Sequence, residues 1–168
     1  MPVCRAMMQA LQIAALFLVA AAWAFAFAHA AEMPGKMRLD RRTYLAVQTI
    51  YYPGFTIGGA SEPLAVVLLA VLLGLTPAES GAFWWTALAL AATAATHLVF
   101  WLVTQPVNRL WLHEQEMGAA GSAFFATGTA PPGAGWKKLR DRWERSHLVR
   151  AALMTLAFVA MTVAVMKS

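Results

Sequence analysis

Four long, largely apolar stretches leave this chain little choice of solvent: Ala6 to Ala28, Ile50 to Leu75, Phe83 to Val103 and Leu148 to Met166. Each is near or above the ~20 residues that a helix needs to cross a hydrocarbon layer about 30 Å thick. Strands are excluded, because an open strand in lipid leaves N–H and C=O groups unpaired and no segment alternates as barrel strands do. With 60% of its 168 residues hydrophobic and 12% charged, the chain lies far from the roughly 25% charged residues of a soluble domain. The expected fold class is all-α: an integral membrane bundle of four transmembrane helices, about 6–33, 43–75, 83–113 and 137–167, in one domain over 1–168. A long basic loop joins helices 3 and 4.

The same residues exclude several functions. Cys4 is the only cysteine, so there is no intrachain disulfide and no CxxC metal site. Ser61, Ser80, Ser122 and Ser146 stand in no GxSxG setting, and no glycine loop is suited to phosphate. The net charge of +5 sits beside the spans, where anionic lipid headgroups explain it better than nucleic acid does.

Basic residues are distributed unevenly. Lys36, Arg38, Arg41, Arg42, Arg109, Lys137, Lys138, Arg140, Arg142 and Arg145 fall in the first and third loops, whereas the termini and second loop hold Arg5 and Lys167. By the positive-inside rule the first and third loops are cytoplasmic and both termini are not. Residues 1–31 imitate a secretory signal through Arg5, an apolar run and Ala28-His29-Ala30, which would argue the reverse. That run exceeds the roughly 7–15 residues of a signal core, so it is read as a retained helix.

Along the chain, Pro34-Gly35 predicts the end of helix 1 near Met33. Helix 2 is expected to begin near Thr43 as an amphipathic stretch, with Tyr44, Tyr51 and Tyr52 in the headgroup layer and kinks at Pro53 and Pro63. Gly54 and Gly58 allow close helix approach. Helix 3 starts at Trp84-Trp85 and runs past Pro106 towards His113. Residues 118–135 read as a loop, with a short interfacial piece around Phe124-Phe125.

Polar residues inside spans require a partner or a function. Counting ~1.5 Å per residue from the termini side, His29 and His147 reach one level and Glu62 and His97 a deeper one. His29 and Glu32 share a helix face, as do Glu144 and His147. The stripe His97, Trp101, Thr104, Asn108 on helix 3 and the stripe Gln48, Tyr51, Phe55, Gly58, Glu62 on helix 2 are both expected to face the bundle interior.

Two readings of this seam stand. In one, His29, Glu32, Glu144 and His147 bind iron, manganese, copper or zinc, as Glu-x-x-His turns do in helical bundles; a b-type haem held by His29 and His147 is a further option. In the other, Glu32 and Glu144 neutralise Lys36, Arg145 or Arg150, and the histidines cap helix ends. Glu62 with His97 is either a buried pair that locks helix 2 to helix 3 or a proton relay.

Gln105-Pro106-Val107-Asn108-Arg109 and Trp143-Glu144-Arg145-Ser146-His147-Leu148-Val149-Arg150 resemble two motifs of the small four-helix membrane family DUF1772, the anthrone-oxygenase-like proteins. The family motifs are a P-x-N ending and a Trp-x-x-x-Asn-x-x-Arg pattern, with His147 here in place of Asn. The resemblance implies oxygenation or oxidation of a polycyclic phenol or another small lipophilic substrate entering from the bilayer. With that activity, the seam is read as one in which Asn108 and Arg150 position the substrate and the Glu62–His97 pair supports catalysis or relays protons. The alternative is an accessory or scaffold subunit of a larger membrane complex, or a homo-oligomer, in which the seven tryptophans contact partners.

Overall fold

A computed structural model describes residues 2–51, 53–111 and 135–168. His113, to which helix 3 is expected to run, and the expected interfacial piece at Phe124-Phe125 lie outside the described residues. Helix α1 spans Pro2–Lys36, α2 Arg41–Gln48 with a 3-10 turn at Thr49–Tyr51, α3 Gly54–Gly59, α4 Ser61–Leu75, α5 Phe83–Val99, α6 Gln105–Trp111 and α7 Trp136–Met166. No strand occurs among the described residues. Four segments are long and apolar enough to cross a membrane: Arg5–Lys36, Gly54–Leu75, Phe83–Arg109 and Trp136–Met166. The chain is a multi-pass membrane bundle in which α1, α4, α5 and α7 pack in a ring, each against two neighbours.

The packing seams follow from spacing. On α1 the buried positions are Gln12, Ala15, Val19, Ala22, Ala26, His29 and Lys36, separated mostly by alternating threes and fours, as left-handed helix packing requires. Glu62, Ala65, Leu69 and Leu72 repeat the pattern on α4. Alanines dominate the interfaces, with Ala22, Ala26, Ala157, Ala160 and Ala164 all buried, so backbones approach closely in a solvent that provides no hydrophobic drive between helices. Thr86, Thr93 and Thr96 are buried on α5 without needing an interhelical partner, since each hydroxyl donates to the carbonyl four residues back at 2.8–2.9 Å. Lipid-facing side chains such as Phe17, Val67, Trp84 and Leu102 are well exposed.

Three local expectations are corrected. Helix α1 does not stop at Met33: Pro34 sits inside its last turn and the helix closes at Lys36, at the cost of the hydrogen bond that position 34 would otherwise give to the carbonyl four residues back. The second span is not one kinked helix. It breaks into α2, a 3-10 turn, α3 and α4, and Pro63 stands in the first turn of α4, where proline is tolerated. Asp40 caps α2 by accepting from Thr43 N at 2.8 Å, and that bond holds its carboxyl below the usual range.

The third correction concerns helix 3. Between α5 and α6 the backbone widens into a π-turn at Phe100–Thr104, with Gln105 N–H reaching Phe100 O. The wide turn relieves the clash of the Pro106 ring with the carbonyl four residues earlier. Along the expected inward stripe Thr104 and Asn108 are buried, and Trp101, although 47% exposed, still donates to His97.

Candidate active site

α1, α4, α5 and α7 bring polar residues to successive levels. At the deepest level, His97 Nδ1 lies 3.0 Å from Glu62 Oε1. Trp101 Nε1 donates to His97 Nε2 at 3.0 Å, so that nitrogen accepts and Nδ1 carries the hydrogen given to Glu62. Arg150 Nη2 donates to the other oxygen, Glu62 Oε2, at 2.8 Å. The carboxylate is thereby held from both sides by groups of two different helices.

About 4.5 Å further along α7, His147 shares its face with Arg150, whose Nη1 is 3.4 Å from His147 Nδ1. The His147 ring lies against His29, with centroids 4.1 Å apart and a 40° tilt. Trp143, Tyr51 and Phe55 surround the pair, at 4.1 Å from His147 and at 4.5 Å and 4.6 Å from His29 respectively. His29 Nδ1 and His147 Nε2 are buried with no hydrogen-bond partner among the described residues.

At the loop-rich end, Lys36 Nζ lies 3.3 Å from Glu144 Oε1 and 3.7 Å from Glu32 Oε2 and stands over the Trp143 ring at 4.7 Å. Tyr44 donates to Glu144 at 2.7 Å, and Tyr51 donates to Glu32. Burial, then the hydrogen bond to a carboxylate, pushes both phenols well above their ordinary pKa.

His29 and His147 meet at one level, and Glu62 meets His97, as depth along the helices predicts. The carboxylates Glu32 and Glu144 do not join the histidines in one ligand set. Among the described residues no group of three or more His, Cys, Asp or Glu is arranged to hold a metal ion, and the ammonium of Lys36 already stands between the two carboxylates. The near contact of the two imidazoles leaves no gap for a porphyrin between them. Asn108 accepts from Trp143 Nε1 at 2.7 Å and donates to Gln105 at 3.2 Å, so it orients Trp143.

A cavity of about 310 Å³ joins the two deeper levels, lined by His29, His147, Glu62, His97, Arg150 and Trp143 among others. Gln48 Nε2 and Thr56 Oγ1 on its wall are also buried and unpartnered among the described residues. Two contributors are not placed at the site by the sequence, Tyr44 and Thr56; Lys36 stands against Glu32 and Glu144 as the second reading of the seam expects, and Gln48 lies on the inward stripe and lines the cavity. Tyr44, which the sequence places in the headgroup layer, is buried against Glu144, whereas Tyr51 is buried on the inward stripe that the sequence also gives it. An interfacial tyrosine and a buried one have the same local sequence; the available signal was the position of Tyr44, four residues before Gln48 on one face.

A four-helix membrane protein with an aromatic-walled, largely apolar cavity that carries buried polar groups is the class that this fold and site define. The chain matches the anthrone oxygenase family over residues 49–160 and belongs to that family. No curated protein and no solved structure matches it. The matched region holds Trp143, Asn108, His147, Arg150, Glu62 and His97, whereas His29, Glu32, Lys36, Tyr44 and Gln48 precede it. The two sequence motifs meet physically in the Trp143 to Asn108 hydrogen bond.

Proposed function

We propose that the protein is a membrane oxygenase that binds a small, planar, oxidisable aromatic molecule in the 310 Å³ cavity. The supporting observation is the wall itself: aromatic rings with buried, unpartnered polar atoms among them, His29 Nδ1, His147 Nε2, Gln48 Nε2 and Thr56 Oγ1. Unmade hydrogen bonds at a buried site are costly and suit a ligand that completes them. The volume lies at the lower end of the ~300–1,000 Å³ typical of ligand pockets.

For a substrate of the anthrone type, a ring CH2 lies between two aryl groups and opposite a carbonyl. Loss of one C–H proton gives an electron-rich enolate, which passes electrons to O2 and forms a C–O bond. Protonation yields a hydroperoxide; loss of the second C–H proton with O–O cleavage gives the ketone and water. One substrate and one O2 become one quinone and one water, and the electrons balance without a further reductant. In this scheme His29 takes the first proton through Nδ1. Arg150 and His147 Nε2 face the developing oxyanion, a role in which preorganised donors are most effective. Glu62 and His97 hold Arg150 in place, and Asn108 acts through Trp143. Access is lateral, from lipid, past Gly59, Pro63 and Trp101, cavity-lining residues that are also exposed. The loop-rich face, which carries the basic residues, is cytoplasmic in this reading.

The test is oxygen uptake by detergent-purified protein supplied with an anthrone, alongside substrate-induced quenching of tryptophan fluorescence. One O2 consumed per quinone formed, lost in His29→Ala with binding retained, is the expected result. A folded protein that neither binds an anthrone nor consumes O2 overturns the proposal.

A further inference from the structure

A second groove of about 520 Å³ runs on the outside of the bundle between helix 3 and α7. Val99 and Val103 line one wall, and Lys138, Arg142, Arg145 and Val149 line the other. The α7 residues fall at intervals of four, three and four, so they form one stripe. Lys138, Arg142 and Arg145 are exposed, and none makes an ion pair or hydrogen bond among the described residues. Asp141, the one acid lining the groove, is held by Arg140, whose Nε and Nη2 donate to it at 3.0 Å and 2.9 Å. Among the described residues, three cations therefore face the groove against a single carboxylate that Arg140 already holds.

We infer that this groove is a binding site for one anionic phospholipid. The order of chemistry along α7 selects the occupant. Val149, 49% exposed, lies within the apolar span; Arg145, Arg142 and Lys138 follow about 6, 10 and 16 Å nearer the loop-rich end. A phosphate diester at Arg142 and Arg145 leaves its acyl chain along Val149, Val103 and Val99. A soluble anion would use the cations and leave the valines bare, and a zwitterionic lipid would bring its own cation against Arg145. Each Lys or Arg near an anionic headgroup contributes about 1 kcal/mol, so removing two arginines is expected to weaken binding about thirtyfold.

The experiment uses full-length, delipidated protein in detergent, with dioleoyl phosphatidylglycerol, dioleoyl phosphatidylcholine and inorganic phosphate as probes. Lipid retention is read by native mass spectrometry, and affinity by the thermal shift that each probe produces. Phosphatidylglycerol should bind well above phosphatidylcholine, lose about thirtyfold in R142Q/R145Q and bind unchanged to R38Q/R42Q, whose charges lie on the first loop. Equal binding of the two lipids, or retention of phosphatidylglycerol by R142Q/R145Q, overturns the site. A shift with inorganic phosphate equal to that with phosphatidylglycerol overturns the lipid as occupant in favour of a free anion. None of these outcomes depends on the oxygenase reading.

Discussion

Arg150 Nη2 donates to Glu62 Oε2 at 2.8 Å while its Nη1 approaches His147 Nδ1 at 3.4 Å, so one guanidinium joins α4 to the histidine level of α7. Both side chains of the ion pair are largely buried, 12% and 6% exposed. Removing one partner strands a buried charge, which costs about 3 kcal/mol, whereas replacing both with apolar residues costs less. Arg150→Met and Glu62→Leu are each expected to lower the unfolding midpoint in a denaturing-detergent titration more than the double variant does. Additive losses would mean that the two side chains are not coupled.

Gly58 and Gly59 are adjacent but predict opposite outcomes. A Cβ at Gly58 would lie 2.1 Å from the Phe25 ring, which packs edge-on against Phe55 with centroids 5.0 Å apart. Gly58→Ala should destabilise the bundle by about 1–3 kcal/mol through overpacking. Gly59 has nothing within 4 Å of its would-be Cβ and lines the cavity. Gly59→Leu should leave the unfolding midpoint unchanged and weaken substrate binding at least tenfold, measured by fluorescence titration.

Alkaline pH should loosen the loop-rich end. Burial and the bond to Glu144 raise the Tyr44 phenol above its ordinary value of 10, and burial with the bond to Glu32 raises Tyr51. A raised folded pKa means that the stabilisation is complete below pH 10 and is lost as pH climbs towards the folded value. Tyr44→Phe should therefore cost about 1–3 kcal/mol at neutral pH, because Glu144 loses a buried donor, and should show a shallower decline above pH 10 than the parent protein. Equal slopes for the two proteins above pH 10 would refute this.

Sidedness has a simple reporter. With Cys4→Ser removing the only thiol, Arg38→Cys introduces one at an exposed first-loop position. If the loop-rich face is cytoplasmic, an impermeant maleimide should label intact spheroplasts only after permeabilisation. Labelling of sealed cells would invert the proposed orientation.

The long-range arrangement was largely legible in the sequence, because in a membrane the distance from a boundary is a coordinate that can be counted. That coordinate put His29 level with His147 and Glu62 level with His97, and both pairs are in contact. Rotation about each helix axis was less legible. The π-turn at Phe100–Thr104 leaves no hydropathy signature, and the burial of Tyr44 against Glu144 is not legible because a phenol suits both a headgroup layer and a buried carboxylate. Lys36 is both a loop charge and a neutralising partner of Glu32 and Glu144 in the sequence reading; what the sequence does not reveal is that α1 continues past Pro34 and so delivers that ammonium between the two carboxylates.

The π-turn at Phe100–Thr104 also sets the phase between the two halves of helix 3. Deleting a single residue within it would let the backbone relax to ordinary α-geometry at nearly the same length, and the span would still reach across the bilayer. Everything beyond the deletion would keep its phase relative to His97, because the turn is an α-helical path that carries one residue more. A residue deleted outside the turn, with the turn kept, would instead rotate Asn108 by about 100° relative to His97 and away from Trp143, so the wide turn is what lets the residue count between His97 and Asn108 bring the two motifs together at the cavity wall.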